Sequence, residues 1–499
     1  MGIIVRQSLK ASFGFYIGAL IGVINQMFVS THFLSVEQLA LSRLLIENAI
    51  LFGTFSTLGA PFIADKFFGT FRNDAKGHHG LLIFLLFLPL LGGLAFTLLY
   101  FFFTPAIKGY FARQSPLLLD YHYLVVPLTF LSMYLLIFEA YCRNHSRIAI
   151  PSFVREVFLR LSNVLLILMF GLGWYSFSTL LYLILASYAA AIGILVYYVA
   201  RLGKLYLRWP DTEKFSKEQV STMLGYGGFT IIGGLGISIM LFLDRSMLAG
   251  EKGLVSAGIF IIASYISNLI EIPKKAISQI SIPLVSDALR LGNHDQVRML
   301  SQKSALHQLL AGGLFFLLIF TNLDELFQLI PKGDTYGDGK YVVLLLLLVK
   351  LFDISTGLNT EIIFYSRFFR WATIFLVMAA VASFLLNLWL IPLYGFMGAA
   401  FATALATLGL SVSKLIFVWK HFHIQPFSKK TALVVILLGL LYLLASFLPF
   451  TSYANLWEML FIMSARSLIL VVLFAFVVLR LRISPEISEL AGRFFKRVF

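Results

Sequence analysis

Apolar runs of roughly 20 residues recur along the whole 499-residue chain, separated by short polar turns. Each run is long enough to cross the ~30 Å hydrocarbon core of a bilayer. Windows of about 19 residues place candidate transmembrane helices near 9–30, 38–64, 81–103, 119–141, 150–171, 178–200, 222–246, 254–275, 303–321, 341–364, 371–391, 397–419, 431–449 and 457–479. The pattern predicts an all-α polytopic membrane protein of about fourteen transmembrane helices. The first ten residues, Met1 to Lys10, lack the short apolar core and small-residue cleavage site of a signal peptide, so the first run reads as a retained helix.

Composition supports that class. Hydrophobic residues make up 59% of the chain and charged residues 13%, with a mean hydropathy of +0.89. A soluble chain of this length needs far more polar surface to cover its core. The single cysteine, Cys142, excludes an internal disulfide framework and a cysteine-based metal site, and reads as a small packing residue. His78, His79, His421 and His423 lie in polar turns without metal-ligand spacing, so no metal or other cofactor is expected.

The net charge of +15 reports topology rather than nucleic-acid binding. With the N-terminus inside, 27 lysines and arginines fall on the cytoplasmic side and five on the other, namely Lys108, Arg113, Lys252, Lys332 and Lys340. This positive-inside bias predicts cytoplasmic termini. The exterior turns, the longest near 104–119 and 321–340, are too short for a separate catalytic domain, which argues against an enzyme.

The chain repeats itself. Gly14 to Ser30 aligns with Gly228 to Asp244, placing Gly22 on Gly236 and Phe28 on Phe242. The pattern Pro61 to Asp65 recurs as Pro283 to Asp287, and Gly92-Gly93-Leu94 as Gly312-Gly313-Leu314. Six helices separate the copies, so both halves keep one orientation and their pseudo-twofold axis runs along the membrane normal. The expected organisation is a six-helix bundle at 1–215, a second at 216–428, two further helices at 429–481 and a basic amphipathic tail at 482–499. In that tail Arg493, Lys496 and Arg497 alternate with Leu490, Phe494, Phe495 and Phe499, as suits an anionic leaflet.

The most specific stretch is Asn387 to Thr403, with Pro392, Tyr394-Gly395 and Gly398-Ala399-Ala400. Pro392 is expected to end a helix, Gly395 to permit the turn, and Gly398, Ala399, Ala400 and Ala402 to allow close packing. This segment resembles the polysaccharide flippases of the multidrug/oligosaccharidyl-lipid/polysaccharide exporter superfamily, and the resemblance extends over roughly residues 1–420 by helix order and to the Asp244-Arg245 pair. It implies two six-helix bundles around a cavity opening alternately to each side of a bacterial inner membrane. The implied cargo is an undecaprenyl-pyrophosphate-linked oligosaccharide, a polysaccharide or lipopolysaccharide precursor. No nucleotide-binding motif is visible, in keeping with secondary transport. Membrane lipids and the lipid-linked oligosaccharide are the expected partners, nucleic acid is not, and the chain is expected to be monomeric.

Charges inside the apolar runs point to mechanism, because each costs ~2.5–3.5 kcal/mol in the bilayer core unless it faces a cavity or partner. The substrate-binding candidates are Arg43, Arg155, Arg160 and Lys350, with Arg160 foremost because it lies nearest the midplane. The candidates for ion coupling or gating are Glu47, Glu139, Glu156, Asp244, Arg245, Glu271, Asp353 and Glu361. Spacing suggests local pairs: Arg43 with Glu47, Glu156 with Arg160, and Lys350 with Asp353. Each pair has two open readings, a contact with cargo or a static structural bridge; partner exchange at Lys350 and Asp353 would suit coupling to H+ or Na+. Glu139, Glu271, Lys274 and Lys414 sit near helix ends, where interfacial solvation is expected, and Arg466 has no sequence partner beyond a lipid phosphate. Three other functions remain open: a peptidoglycan-precursor flippase, a multidrug exporter of the same fold, and a membrane glycan polymerase or ligase.

Overall fold

The computed structural model describes residues 17–447 and 455–489. The start of the first predicted helix and most of the basic tail, from Leu490 to Phe499, lie outside the described residues. The described chain is helical and contains no strand. Nine of its helices are long and apolar enough to cross a membrane, and Lys340–Ser355 with Asn359–Tyr365, bent by 53°, forms a tenth if taken as one span. By that criterion the fourteen predicted crossings are not reached.

The shortfall has local causes. Lys217–Asn268 has 52 residues and Phe369–Phe422 has 54, each roughly 80 Å if straight and far longer than one crossing. Gly253 (φ 90°) breaks the first and Gly395 (φ 58°) the second, in backbone conformations that side chains resist. Pro392 does not end its helix, contrary to the sequence expectation; the helical run passes through it and breaks at Gly395. A Cβ at Gly398 would sit 2.0 Å from the Leu390 carbonyl oxygen, so the motif does pack two helical segments closely.

Other boundaries also move. The predicted 38–64 helix is interrupted: Val36–Ser56 ends before a turn at Leu58 (φ 47°) and Gly59 (φ 79°), and Ala60–Phe71 follows. A capping box between Ser35 and Gln38 starts Val36–Ser56, its two hydrogen bonds measuring 3.1 and 3.0 Å. The polar segment after residue 268 folds as Glu271–Arg290, and the expected loop at 104–119 is largely helix, because Leu81–Phe111 runs through Pro105. In Ile17–Phe33 the turn Asn25–Val29 is a π-helix, and so is Val154–Phe158 within 149–171.

Two compact units emerge. Among the described residues, the first holds 17–261, 330–332 and 376–399; the second holds 262–329, 333–375, 400–447 and 455–489. A core of Ile63, Phe67, Phe71, Leu85, Met133 and Tyr141 anchors the first. In the second, His294–Thr321 packs Leu309, Leu310 and Leu317 against Leu438 of Lys429–Ser446 and Phe474 of Leu456–Arg480.

Two of the loop histidines shape a turn. Within the first unit, the left-handed pair His78 and His79 turns the chain between Gly77 and Gly80. His79 Nδ1 lies 3.1 Å from Asp211 Oδ2, the Asp211 amide donates to the His79 carbonyl at 3.0 Å, and Lys204 Nζ reaches Asp74 Oδ2 at 2.6 Å. Polar bonds thus fasten the turn at 73–80 to the segment at 204–211. The His145 ring stands 5.3 Å from that of His78, and burial, followed by the field of His78 and Lys204, pushes the His145 pKa down to about 4. A depressed histidine contributes stability above its unfolded pKa, which is lost as pH falls from about 6.5 toward 4. Acidifying purified protein from pH 7 to 5 should therefore lower the unfolding midpoint, by on the order of 1 kcal/mol from this group. His145→Phe should flatten the profile; an equally steep profile would refute the assignment.

Candidate functional site

In the first unit the intramembrane charges form two groups. The π-turn Val154–Phe158 carries Arg155 and Glu156, and Arg160 follows one turn later. Arg155 Nη1 donates to Glu139 Oε2 at 3.0 Å, and its Nε lies 3.6 Å from Glu156 Oε1. Arg160 donates to Glu156 Oε2 at 2.6 Å and to the Gly18 carbonyl at 2.6 Å. Next to it, Asn163 accepts a 2.7 Å bond from Asn25 in the other π-turn. The two π-turned segments therefore meet along one polar seam, and π-turns concentrate at functional sites because the extra residue redirects side chains.

The Glu156–Arg160 pair suggested by spacing is present. Exposure ranks the two arginines differently from the sequence, however: the Arg155 side chain is 53% exposed and Arg160 34%. Glu139, expected to be solvated at a helix end, is buried under Arg155. Arg43 stands close enough, with Arg155 and Glu47, to act electrostatically on the Tyr188 hydroxyl.

The second group joins helices far apart in sequence. Glu47 pairs with Arg245, and Ser246 donates to Asn48 Oδ1 at 2.8 Å. Buried Asp244 accepts the Arg245 amide at 2.8 Å. Glu47 thus finds a guanidinium 198 residues away, in addition to the electrostatic influence of Arg43 on its own helix.

The second unit corrects the sequence pairing. Lys350 does not bridge to Asp353 three residues on; it binds Glu271 and donates to Asn268 Oδ1 at 2.6 Å. Asp353 is held by Lys274, accepts from Ser411 at 2.5 Å, and has Lys414 Nζ at 3.8 Å. Lys414 also donates to Thr360 at 3.0 Å, and Glu361 lies near both Lys274 and Lys414. The cause is register. Glu271 and Lys274 on one helix, and Lys350 and Asp353 on another, are both three apart with reversed signs, so two cross-helix pairs form in place of the one intrahelical pair expected at Lys350 and Asp353.

Lys274 and Lys414 were expected to be solvated at helix ends, yet their side chains are only 23% and 12% exposed, and both serve Asp353. They were missed as site residues; the complementary Glu271/Lys274 and Lys350/Asp353 spacing was the available signal. Arg466 is likewise corrected: it pairs with buried Glu325, and Ser467 beside it lies 3.2 Å from Asn322. Lys303 binds Glu486 at 2.7 Å, holding that carboxyl below its usual range, and His307 meets Ser484 at 2.9 Å. These contacts fasten Leu456–Arg480 and the segment after it to His294–Thr321 and Leu323–Leu329.

Each group brings cations and carboxylates together, and among the described residues no cluster of His, Cys, Asp and Glu is arranged to hold a metal ion.

The fold is shared with solved structures of a flippase and of transporters, among them two described as of the MOP superfamily. The chain is similar in structure to the lipid II flippase MurJ in an inward closed conformation, with a TM-score of 0.72 and 14% identity, covering 95% of this chain and 99% of that one. An inward-facing MATE family multidrug resistance transporter matches with a TM-score of 0.64 and 16% identity over 85% of this chain and 98% of its own. A MOP superfamily transporter from Pyrococcus furiosus, described as having a binding pocket of reversed polarity, matches at 0.57 and 16% over 84% and 95%. The sequence matches no family model, and no curated protein shows significant similarity to it. These three solved structures are of a flippase and of transporters.

Proposed function

We propose that the chain is a secondary transporter that flips an undecaprenyl-pyrophosphate-linked oligosaccharide across a bacterial inner membrane by alternating access, with both termini cytoplasmic. The observation that carries this reading is Arg155, a half-exposed guanidinium inside an apolar helix, aimed by a π-turn and, like Arg43, acting electrostatically on Tyr188. A guanidinium offers a planar fork matched to phosphate oxygens. Glu139 and Glu156 hold Arg155 in place and are the carboxylates that a pyrophosphate would displace in part.

In the second unit, Asp353 with two ammonium partners is the candidate coupling group, for H+ or Na+. Lys350, Glu271 and Glu361 belong to the same exchange network. The cation excess inferred from sequence is offset by the acids found beside each cation. That makes selection of an anionic head group a matter of local exposure rather than of net charge.

A second reading, a peptidoglycan-precursor flippase, is favoured by the coverage of 95% against the lipid II flippase, where the multidrug transporters reach 84–85%. The lower coverage disfavours a drug exporter. The test is surface glycan in cells with protein levels held equal. Arg155→Ala and Arg43→Ala should each reduce glycan about tenfold, the equivalent of 1.4 kcal/mol. Full glycan in both variants would sink the cargo assignment, and rescue of cells lacking lipid II export would move it to the second reading.

A further inference from the structure

The first unit encloses a cavity of about 740 Å³, within the range of small-ligand sites. Four stretches line it: 51–55 of Val36–Ser56, 96–107 of Leu81–Phe111, and 232–243 and 377–384 of the two long broken helices. The lining is apolar. Its one polar side chain is Tyr100, whose hydroxyl is already donated to the His122 carbonyl at 2.9 Å. A cavity without free polar partners does not hold ordered water.

Its mouth is rimmed by exposed Phe55, Leu99, Phe103 and Phe384, which run on into exposed Leu98, Phe102 and Leu388. All four lining stretches belong to helices with membrane-spanning length and apolarity, and the exposed side chains around the mouth are apolar, as an opening toward hydrocarbon requires. The charged residues beside the lining are Lys108, which follows Ile107, Asp244, which follows Leu243, and the Glu47–Arg245 pair, one turn before Leu51 and two residues after Leu243; none of them is itself part of the lining. Nothing in the lining recognises a head group.

We infer that this cavity is a standing site for one acyl chain of a bilayer phospholipid, which completes the packing among four helices. The inference is independent of the cargo reading, because the site selects a hydrocarbon chain and no phosphate or sugar.

The test uses the full chain in nanodiscs of phosphatidylethanolamine doped with a phosphatidylcholine bearing a mid-chain diazirine. After irradiation, labelled peptides are compared with those carrying Leu161 and Leu165, exposed apolar residues of another helix. Labelling at the cavity should exceed that reference about fivefold, as a concave site that buries most of its ligand would. Ala380→Phe, which fills the lining at a small residue, should bring it down to the reference, and Ala380→Ser should leave it high. If Ala380→Phe does not accumulate, Val381→Trp makes the same comparison. Cavity labelling at the reference level, or unchanged by filling, overturns the inference. So does displacement of the label by an equimolar polyprenyl phosphate, which would make the occupant a carrier tail instead.

Discussion

Replacing Asp353 with alanine is expected to remove most folded protein from the membrane. Asp353 is the carboxylate that Lys274 binds, with Lys414 Nζ 3.8 Å away and the Ser411 hydroxyl at 2.5 Å. Without it two largely buried ammonium groups lose the carboxylate nearest to both, and Glu361 is left as the acid they share. Breaking a buried pair by removing one partner costs about 3–5 kcal/mol, because a desolvated charge is left behind. That is a large share of the ~5–15 kcal/mol that holds a typical protein together. Thermal unfolding in detergent and the level of protein in isolated membranes both report the loss. The combined variant Asp353→Leu, Lys274→Met and Lys414→Met removes every member of the set and should recover most of the stability, since apolar replacement of a whole ion pair is often neutral. It should not recover transport. A single Asp353→Ala variant as stable as the parent would show that these lysines are solvated in the folded protein.

Arg466→Ala is expected to have a comparable effect in a different place. Arg466 and Glu325 are both buried, and their bond fixes Leu456–Arg480 beside Leu323–Leu329. Alanine takes from the buried Glu325 carboxylate the guanidinium that it binds, again at a cost of about 3–5 kcal/mol. Limited proteolysis should then cut near the polar ends of the two C-terminal helices before it cuts the core at Leu309, Leu310 and Leu317. Arg466→Leu combined with Glu325→Leu should restore protection. If the double variant is as labile as the single one, the pair has a role beyond mutual neutralisation.

These two cases show what the sequence could and could not convey. Apolar runs announced the membrane class, and most span centres fell inside observed helices, because 20 apolar residues in succession admit few other structures. Helix ends and breaks were less legible. Gly357 (φ 72°) and Gly59 look like any other glycine in the sequence, and only the backbone conformation they adopt shows that the helix stops there. At the candidate site, the pair within one turn of helix, Glu156 with Arg160, was read correctly. Pairs between helices were not: Arg466 with Glu325 spans 141 positions and Arg245 with Glu47 spans 198. A spacing rule describes one helix surface and carries no information about which surface faces it. Where the two disagreed, at Lys350 and Asp353, the neighbouring helix supplied the nearer opposite charge to each.

The π-turn at Val154–Phe158 has a further consequence, for residue counting. One residue beyond regular helical geometry rotates everything on one side of it by about 100° relative to the other. Deleting any single residue between 154 and 158 would let the helix relax into regular form. It would also swing Arg160 and Asn163 away from Gly18 and Asn25, or else turn Arg155 from Glu139. The site is therefore specified by an odd tally in the chain as much as by its arginines. When related chains are compared, a one-residue gap in this helix marks a re-aimed guanidinium and a candidate change of cargo.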